Sequence, residues 1–172
     1  MFQNPEISLE HLPSLDHVDW QPLHDRYVAE QVVARTGTLA FLVVLMCVVE
    51  FAPPVEIPLT LLRWGVLGLF GAALLTWPLV AVPRQGYIVR DKDIVFRAGV
   101  LWRSVTAIPY NRIQHVETSS TPLNRHFGTA TLKLFTAGGA GGDMKIDGLP
   151  ADTAEQLRVM ILEKAGASIE QS

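Results

Sequence analysis

IPLTLLRWGVLGLFGAALLTWPLVAV, residues 57–82, decides how this chain is read. No charged side chain follows Arg63 until Arg84, so residues 64–83 are twenty consecutive uncharged positions. At about 1.5 Å of helical rise per residue, such a stretch matches the roughly 30 Å hydrocarbon core of a bilayer. A core helix of a soluble domain needs only one apolar stripe and shows charge on its other face, whereas these residues are apolar or small all round. The stretch is therefore predicted to span a membrane. Gly65, Gly68 and Gly71 recur at helical spacing. They are expected to let another helix approach closely, a lipid-facing glycine face being the alternative.

Upstream, the uncharged residues 36–49 are fourteen, too few to span, and Glu50 follows at once. Residues 32–51 reach the required length if Arg35 and Glu50 extend to the interfaces. Pro53 and Pro54 then end the helix, and a second begins near Pro58, giving a transmembrane hairpin with a very short connection. Arg26 and Arg35 flank the first span, Arg84, Arg90, Lys92 and Arg97 follow the second, and the connection holds no Lys or Arg before Arg63. The positive-inside rule thus predicts that both termini are cytoplasmic. Arg63 faces Glu50 across the hairpin, and the two are expected to pair because unpaired charge at that depth is costly.

The head of the chain, residues 1–31, is acidic: residues 1–35 carry six acidic and two basic side chains. It lacks the charged and apolar regions of a cleavable leader. His11, Asp16, His17, Asp19, His24 and Asp25 are ligand types without a recognised ligand spacing, so a solvated head is expected and no metal site. Trp20, Leu23, Tyr27 and Ala34 fall near helical spacing and predict a short interfacial segment leading into the bilayer. Cys47, the single cysteine, excludes an intrachain disulfide.

After Pro83 the period changes. Residues 87–90, 94–98, 100–107, 113–117, 129–136 and 143–147 are rich in β-branched and aromatic side chains and separated by turn residues, which predicts six or seven short antiparallel strands. Gly138 to Gly142 is expected to be a loop; it has no following Lys-Ser/Thr and opens a strand, so it is not a phosphate loop. Asp152 with Glu155 resembles a capping box, Ala154, Leu157, Ile161 and Ala165 share one stripe, and Gly166 is a stop signal, together predicting a helix that plugs the open sheet.

Chemistry is sparse. Ser104, Ser119 and Ser120 have no nucleophile-elbow context, His115 and His126 have no carboxylate orienter, and Asp143 with Asp147 reads as a solvated edge. No catalytic site, cofactor or metal is expected. Residues 84–165 carry eleven basic and eight acidic side chains, far from the clustering of a nucleic-acid binder.

Gly99-Val-Leu, Ile108-Pro109, Arg112-Ile113-Gln114-His-Val, Leu123-Asn-Arg125-His-Phe127-Gly128 and Thr131-Leu132 before the glycine-rich turn occur in that order. With the two preceding spans, this pattern resembles the bacterial PH-like domain of YdbS-type membrane proteins. The resemblance implies a membrane-anchored α+β fold: a two-helix transmembrane hairpin, residues 32–83, then a PH-like antiparallel β-barrel capped by a C-terminal α-helix, residues 84–165, and a tail, residues 166–172. It implies no enzymatic activity, and it suggests as partner a larger membrane protein with further PH-like domains, or a homo-oligomer. Phe127 is expected to enter the core and Gly128 to permit a close backbone approach. Arg84, Arg112, Arg125 and His126 are the candidate contacts to anionic lipid or a protein partner, the guanidinium groups serving equally well as structural donors. Glu50 and Arg63 are the candidate intramembrane pair. The expected function is a membrane-anchored interaction module, with the acidic head as a displaceable cover over the net-positive domain. The alternative is an accessory subunit of an envelope transporter or enzyme that shares its active site with a partner.

Overall fold

The computed structural model describes residues 19–51, 60–137 and 142–169. The candidate ligands His11, Asp16 and His17, the turn at Pro53, Pro54 and Pro58, and most of the glycine-rich loop lie outside the described residues. Two long helices come first, α1 (Tyr27–Phe51) and α2 (Thr60–Ala81). Both are long and apolar enough to cross a membrane. Their contacts run in opposite order along the chain, Arg35 with Leu74, Leu39 with Gly71 and Glu50 with Arg63, so the pair is antiparallel.

Only Gly71 of the three spaced glycines serves the helix contact. A Cβ there would meet Leu39 Cδ2 at 2.9 Å, whereas Gly65 and Gly68 have nothing within 4 Å. Pro78 sits inside α2, fully buried. Lacking an N–H, it leaves the Leu74 carbonyl four residues earlier without its helical donor. The Arg35 guanidinium donates to that oxygen at 3.0 Å. Arg35 thus repairs the backbone of α2 and does not simply reach for the interface.

A 3-10 turn, Val82–Arg84, leads into a sheet of β1 (Gly86–Val89), β2 (Asp93–Ala98) and β3 (Ser104–Pro109), ordered β1-β2-β3 and antiparallel. β3 begins four residues later than the sequence pattern predicts. Gly99 has φ 108°, and a Cβ on it would lie 1.7 Å from the Trp102 carbonyl oxygen. Residues 99–103 are accordingly a tight turn that only glycine can open. A second 3-10 turn, Tyr110–Arg112, precedes β4 (Ile113–Ser119), α3 (Pro122–Phe127), β5 (Thr129–Thr136) and β6 (Met144–Pro150); these three strands form a sheet ordered β4-β5-β6. α4 (Ala151–Ile169) ends the fold.

The expected barrel does not close. Among the described residues β3 pairs only with β2 and β4 only with β5, giving two three-stranded sheets. Pro109 at the end of β3 and the 3-10 turn that follows redirect the chain before β3 and β4 can pair. The sheets nevertheless share one core, with Tyr87, Ile94 and Ile108 from the first meeting Leu132, Leu134 and Ile146 from the second. α4 plugs it through Ala154, Leu157, Ile161 and Ala165, the predicted stripe, all buried. The helix runs past Gly166 to Ile169.

The helix α3 was absent from the sequence expectation. Thr121 caps it, its side chain accepting from the Asn124 N–H at 3.1 Å while the Asn124 side chain accepts from the Thr121 N–H at 2.9 Å. Gly128, φ 73°, closes it in the left-handed conformation. Nothing lies within 4 Å of a Cβ at Gly128, so its role is the cap and not a close approach. Phe127, expected in the core, is only half-buried at the end of this helix.

The segment before α1 is a further departure. Leu23 and Tyr27, expected to face the bilayer interface, are buried in the domain core. Gln21 exchanges both backbone hydrogen bonds with Tyr87 on the outer edge of β1, and the His24 N–H donates to the Gly148 carbonyl at 2.8 Å. Gly148 has φ 73° at a bulge in β6, and a Cβ there would lie 2.3 Å from the Tyr27 ring. The strap therefore covers a sheet edge and seats Tyr27 where no other residue than glycine fits beneath it.

Candidate functional site

The buried polar groups form a knot that holds α1 to the domain. Glu30, in the first turn of α1, is buried. One of its carboxylate oxygens accepts from Asn124 Nδ2 at 2.6 Å, and the other accepts from the Thr129 hydroxyl. A buried carboxylate is tolerated only when its lone pairs are met, and here α3 and β5 meet them. Every member has its partner, so the knot is structural.

Glu50 and Arg63 meet at 2.5 Å, and the Thr60 hydroxyl donates to the second Glu50 oxygen at 3.0 Å. This closes the far end of the helix pair. A groove of about 410 Å³ beside it is lined by Met46, Leu62, Val66, Leu67 and Phe70 as well as Arg63.

The four candidate contact residues do not converge. Arg112 ends the 3-10 turn after β3 and is exposed. Arg125 and His126 form the exposed last turn of α3, with the His126 ring edge-on to Phe127 at 5.2 Å. Among the described residues the guanidinium groups of Arg112 and Arg125 make no hydrogen bond or ion pair. Arg84 stands apart from them at the end of α2, donating to the Val80 carbonyl at 2.5 Å.

Arg84 has different company. A cavity of about 250 Å³ is lined by Pro83, Arg84, Arg97, Gly99 and Arg103. Sequence reasoning missed Arg97 and Arg103 as site residues because they are scattered in the chain. The register brings them in: Gly86, two residues past Arg84, pairs with Arg97, and Arg97 pairs with Val105 just beyond Arg103. Arg97 lies over the Trp20 ring, 4.4 Å from its centroid. Its Nε is buried without a partner among the described residues.

The two ends of the first sheet differ in electrostatics. At the β1–β2 turn charges are compensated: Arg90 lies 3.8 Å from Asp93, and Lys164 of α4 lies 2.5 Å from Asp91. The Lys164 hydrogen bond and charge hold the Asp91 carboxyl below its ordinary range. Beside them, burial foremost and the nearby Asp93 and Asp91 push the Tyr110 phenol up to about 12. At the α2 end, by contrast, three arginines line one cavity and, among the described residues, no Asp or Glu lines it. Among the described residues no group of three or more His, Cys, Asp or Glu is arranged to hold a metal ion.

Two apolar helices, two small antiparallel sheets on a common core and a plugging C-terminal helix define a PH-like α+β protein with one strongly cationic end. The family model for the bacterial PH domain matches residues 32–165, most of the chain. The chain belongs to the bacterial PH domain family. No curated protein and no solved structure matches it.

Proposed function

We propose that the chain is a non-catalytic interaction module anchored in a bacterial inner membrane by α1 and α2, of the YdbS-like kind. Membership of the bacterial PH domain family supports an interaction module in general. The anchoring rests on one observation above the rest: the outer faces of both helices are bare. Leu61 is 90%, Phe51 82% and Leu69 76% exposed, along with Phe41, Val44, Val48 and Leu79. A continuous apolar surface of this kind is not stable in water and is satisfied by lipid.

The basic residues favour one orientation. Arg26, Arg84, Arg97 and Arg103 all lie on the domain side of the helix pair, consistent with a cytoplasmic domain. Anchoring raises the effective concentration of any membrane-bound partner, so weak contacts suffice. The partner favoured is a larger membrane protein carrying PH-like domains, with a second copy of this chain as the other arm of the test. Carbonate washing of membranes should leave the chain in the pellet, a C-terminal tag should be reachable only from the cytoplasmic side, and crosslinking in intact membranes should capture the partner. Release of the intact chain by carbonate overturns the anchoring.

A further inference from the structure

The cationic cavity has a neighbour that decides what it meets. β1 leaves the end of α2 at Gly86 and runs away from it, and β2 returns antiparallel with Arg97 opposite Gly86. The turn after β2 therefore overshoots the start of β1 and lies at the α2 end of the sheet. Its tip is Leu101 and Trp102, 75% and 86% exposed. The positive φ of Gly99 makes the turn tight enough to project them. Gly99 and Arg103 of this turn share a cavity with Pro83 and Arg84, so an exposed tryptophan and leucine stand beside the end of an apolar helix, the kind of side chain suited to the headgroup zone.

Arg84, Arg97 and Arg103 line one cavity, and among the described residues none of them forms an ion pair. A cluster of like charges without a carboxylate beside it is a favourable place for an anion. Guanidinium forks match the oxygens of a phosphate. Trp20 fixes the plane of Arg97, so at least one fork is ordered before any ligand arrives.

We infer that this cavity binds the phosphate of an anionic phospholipid, while Leu101 and Trp102 seat in the headgroup boundary of the same leaflet. The inference rests on the membrane-anchored reading above. A lipid is favoured over a free phosphate because the cavity begins at Pro83 and Arg84, directly where α2 ends, and because the apolar tip beside it needs the same leaflet.

The test uses the full chain in phosphatidylcholine nanodiscs doped with brominated phosphatidylglycerol. Quenching of Trp102 is read as the difference between the native chain and W102F. Brominated phosphatidylcholine is the neutral arm, and inorganic phosphate added to the detergent-solubilised chain is the free-ion arm. Stronger quenching by phosphatidylglycerol than by phosphatidylcholine at equal mole fraction is expected. At roughly 1 kcal/mol per basic residue near an anionic leaflet, R103Q lowers that preference up to about fivefold, and R84Q/R97Q/R103Q abolishes it. R103Q removes a side chain without partners among the described residues, so its thermal unfolding should match the native chain's and its result stands even if the triple variant is unstable. An unchanged preference in R103Q and in a folded triple variant overturns the lipid site. Saturation by millimolar inorganic phosphate with no lipid preference overturns it in favour of a free anion. Carbonate release of the chain overturns the anchoring itself, whereas retention without lipid preference sinks only the lipid site.

Discussion

Arg35 and Pro78 should be energetically coupled although they belong to different helices. Pro78 denies the Leu74 carbonyl its helical donor, and the Arg35 guanidinium supplies one at 3.0 Å. In R35A that oxygen is left without a donor in a low-dielectric setting, whereas in P78A the new backbone N–H can bond it directly and Arg35 is no longer required. Interhelical hydrogen bonds in membranes average about 0.6 kcal/mol and reach about 1.7. An ionised donor on an otherwise orphaned carbonyl belongs near the top, so R35A should cost about 1.5 kcal/mol alone and about 0.5 or less beside P78A. P78A by itself loses the packing of a fully buried ring and regains a helical bond; that balance enters both arms of the cycle and cancels. Unfolding in mixed micelles of mild detergent and dodecyl sulfate, followed by helical circular dichroism, measures all four chains. A coupling below about 0.3 kcal/mol would refute the repair role and leave Arg35 as an interface anchor.

Two glycines with the same φ should differ in their cost of substitution. G128A, left-handed at 73° with open space, should cost about 1 kcal/mol, while G148A adds a collision with the Tyr27 ring at 2.3 Å and should cost about 3 or more, read by thermal unfolding. E30A should destabilise by about 2–4 kcal/mol, because the Asn124 amide and Thr129 hydroxyl stay buried without their acceptor, and proteolysis should then cut before α1 first. E30Q, which keeps one acceptor, should cost less than E30A; equal losses would contradict the knot. The Tyr110 phenol is raised from 10 to about 12 in the folded chain, so the unfolded chain releases that proton first. Its contribution is complete below pH 10 and is lost as pH rises through about 12, so melting temperature should fall across that window and fall less steeply in Y110F. Y110F also gives up the bond to the Arg90 carbonyl, about 1 kcal/mol at neutral pH.

What could be read from the chain was whatever depends on neighbours a few residues away. The uncharged run before Arg84, the strand-like alternation after it and the α4 stripe of Ala154, Leu157, Ile161 and Ala165 are all local periodicities, and each has its element in the structure, with β3 alone starting four residues after its pattern. The helix α3 was within reach too: Thr121, Pro122 and Asn124 make a start signal and Gly128 a stop, but six residues carry too little periodicity to stand out against the strands around them. The strap was beyond reach for a different reason. Leu23 and Tyr27 are amphipathic-looking whether they meet lipid or a core, and what decides is Gly148, more than a hundred residues later in the chain, together with Asn124 and Thr129, 94 and 99 residues after Glu30. The cationic cavity depends likewise on the pairing of Gly86 with Arg97 and on the tight turn at Gly99, neither of which periodicity encodes.

These long-range contacts bear directly on function, because they determine how the domain is held. A domain hung from one helix through a short linker can swivel about it. Here the chain is fastened twice: Leu23, Tyr27 and Glu30 bind the start of α1 into the core, and Val82, directly after α2, is buried in the same core. Two attachment points on adjacent antiparallel helices remove rotation about either axis, and the Arg35 bond to Leu74 ties the helices to each other a few turns away. The direction in which Arg84, Arg97, Arg103 and Trp102 face is therefore fixed by the same core that folds the domain. For the lipid site proposed above this rigidity is an advantage, since a swivelling surface would lose much of its affinity to ordering entropy at each encounter.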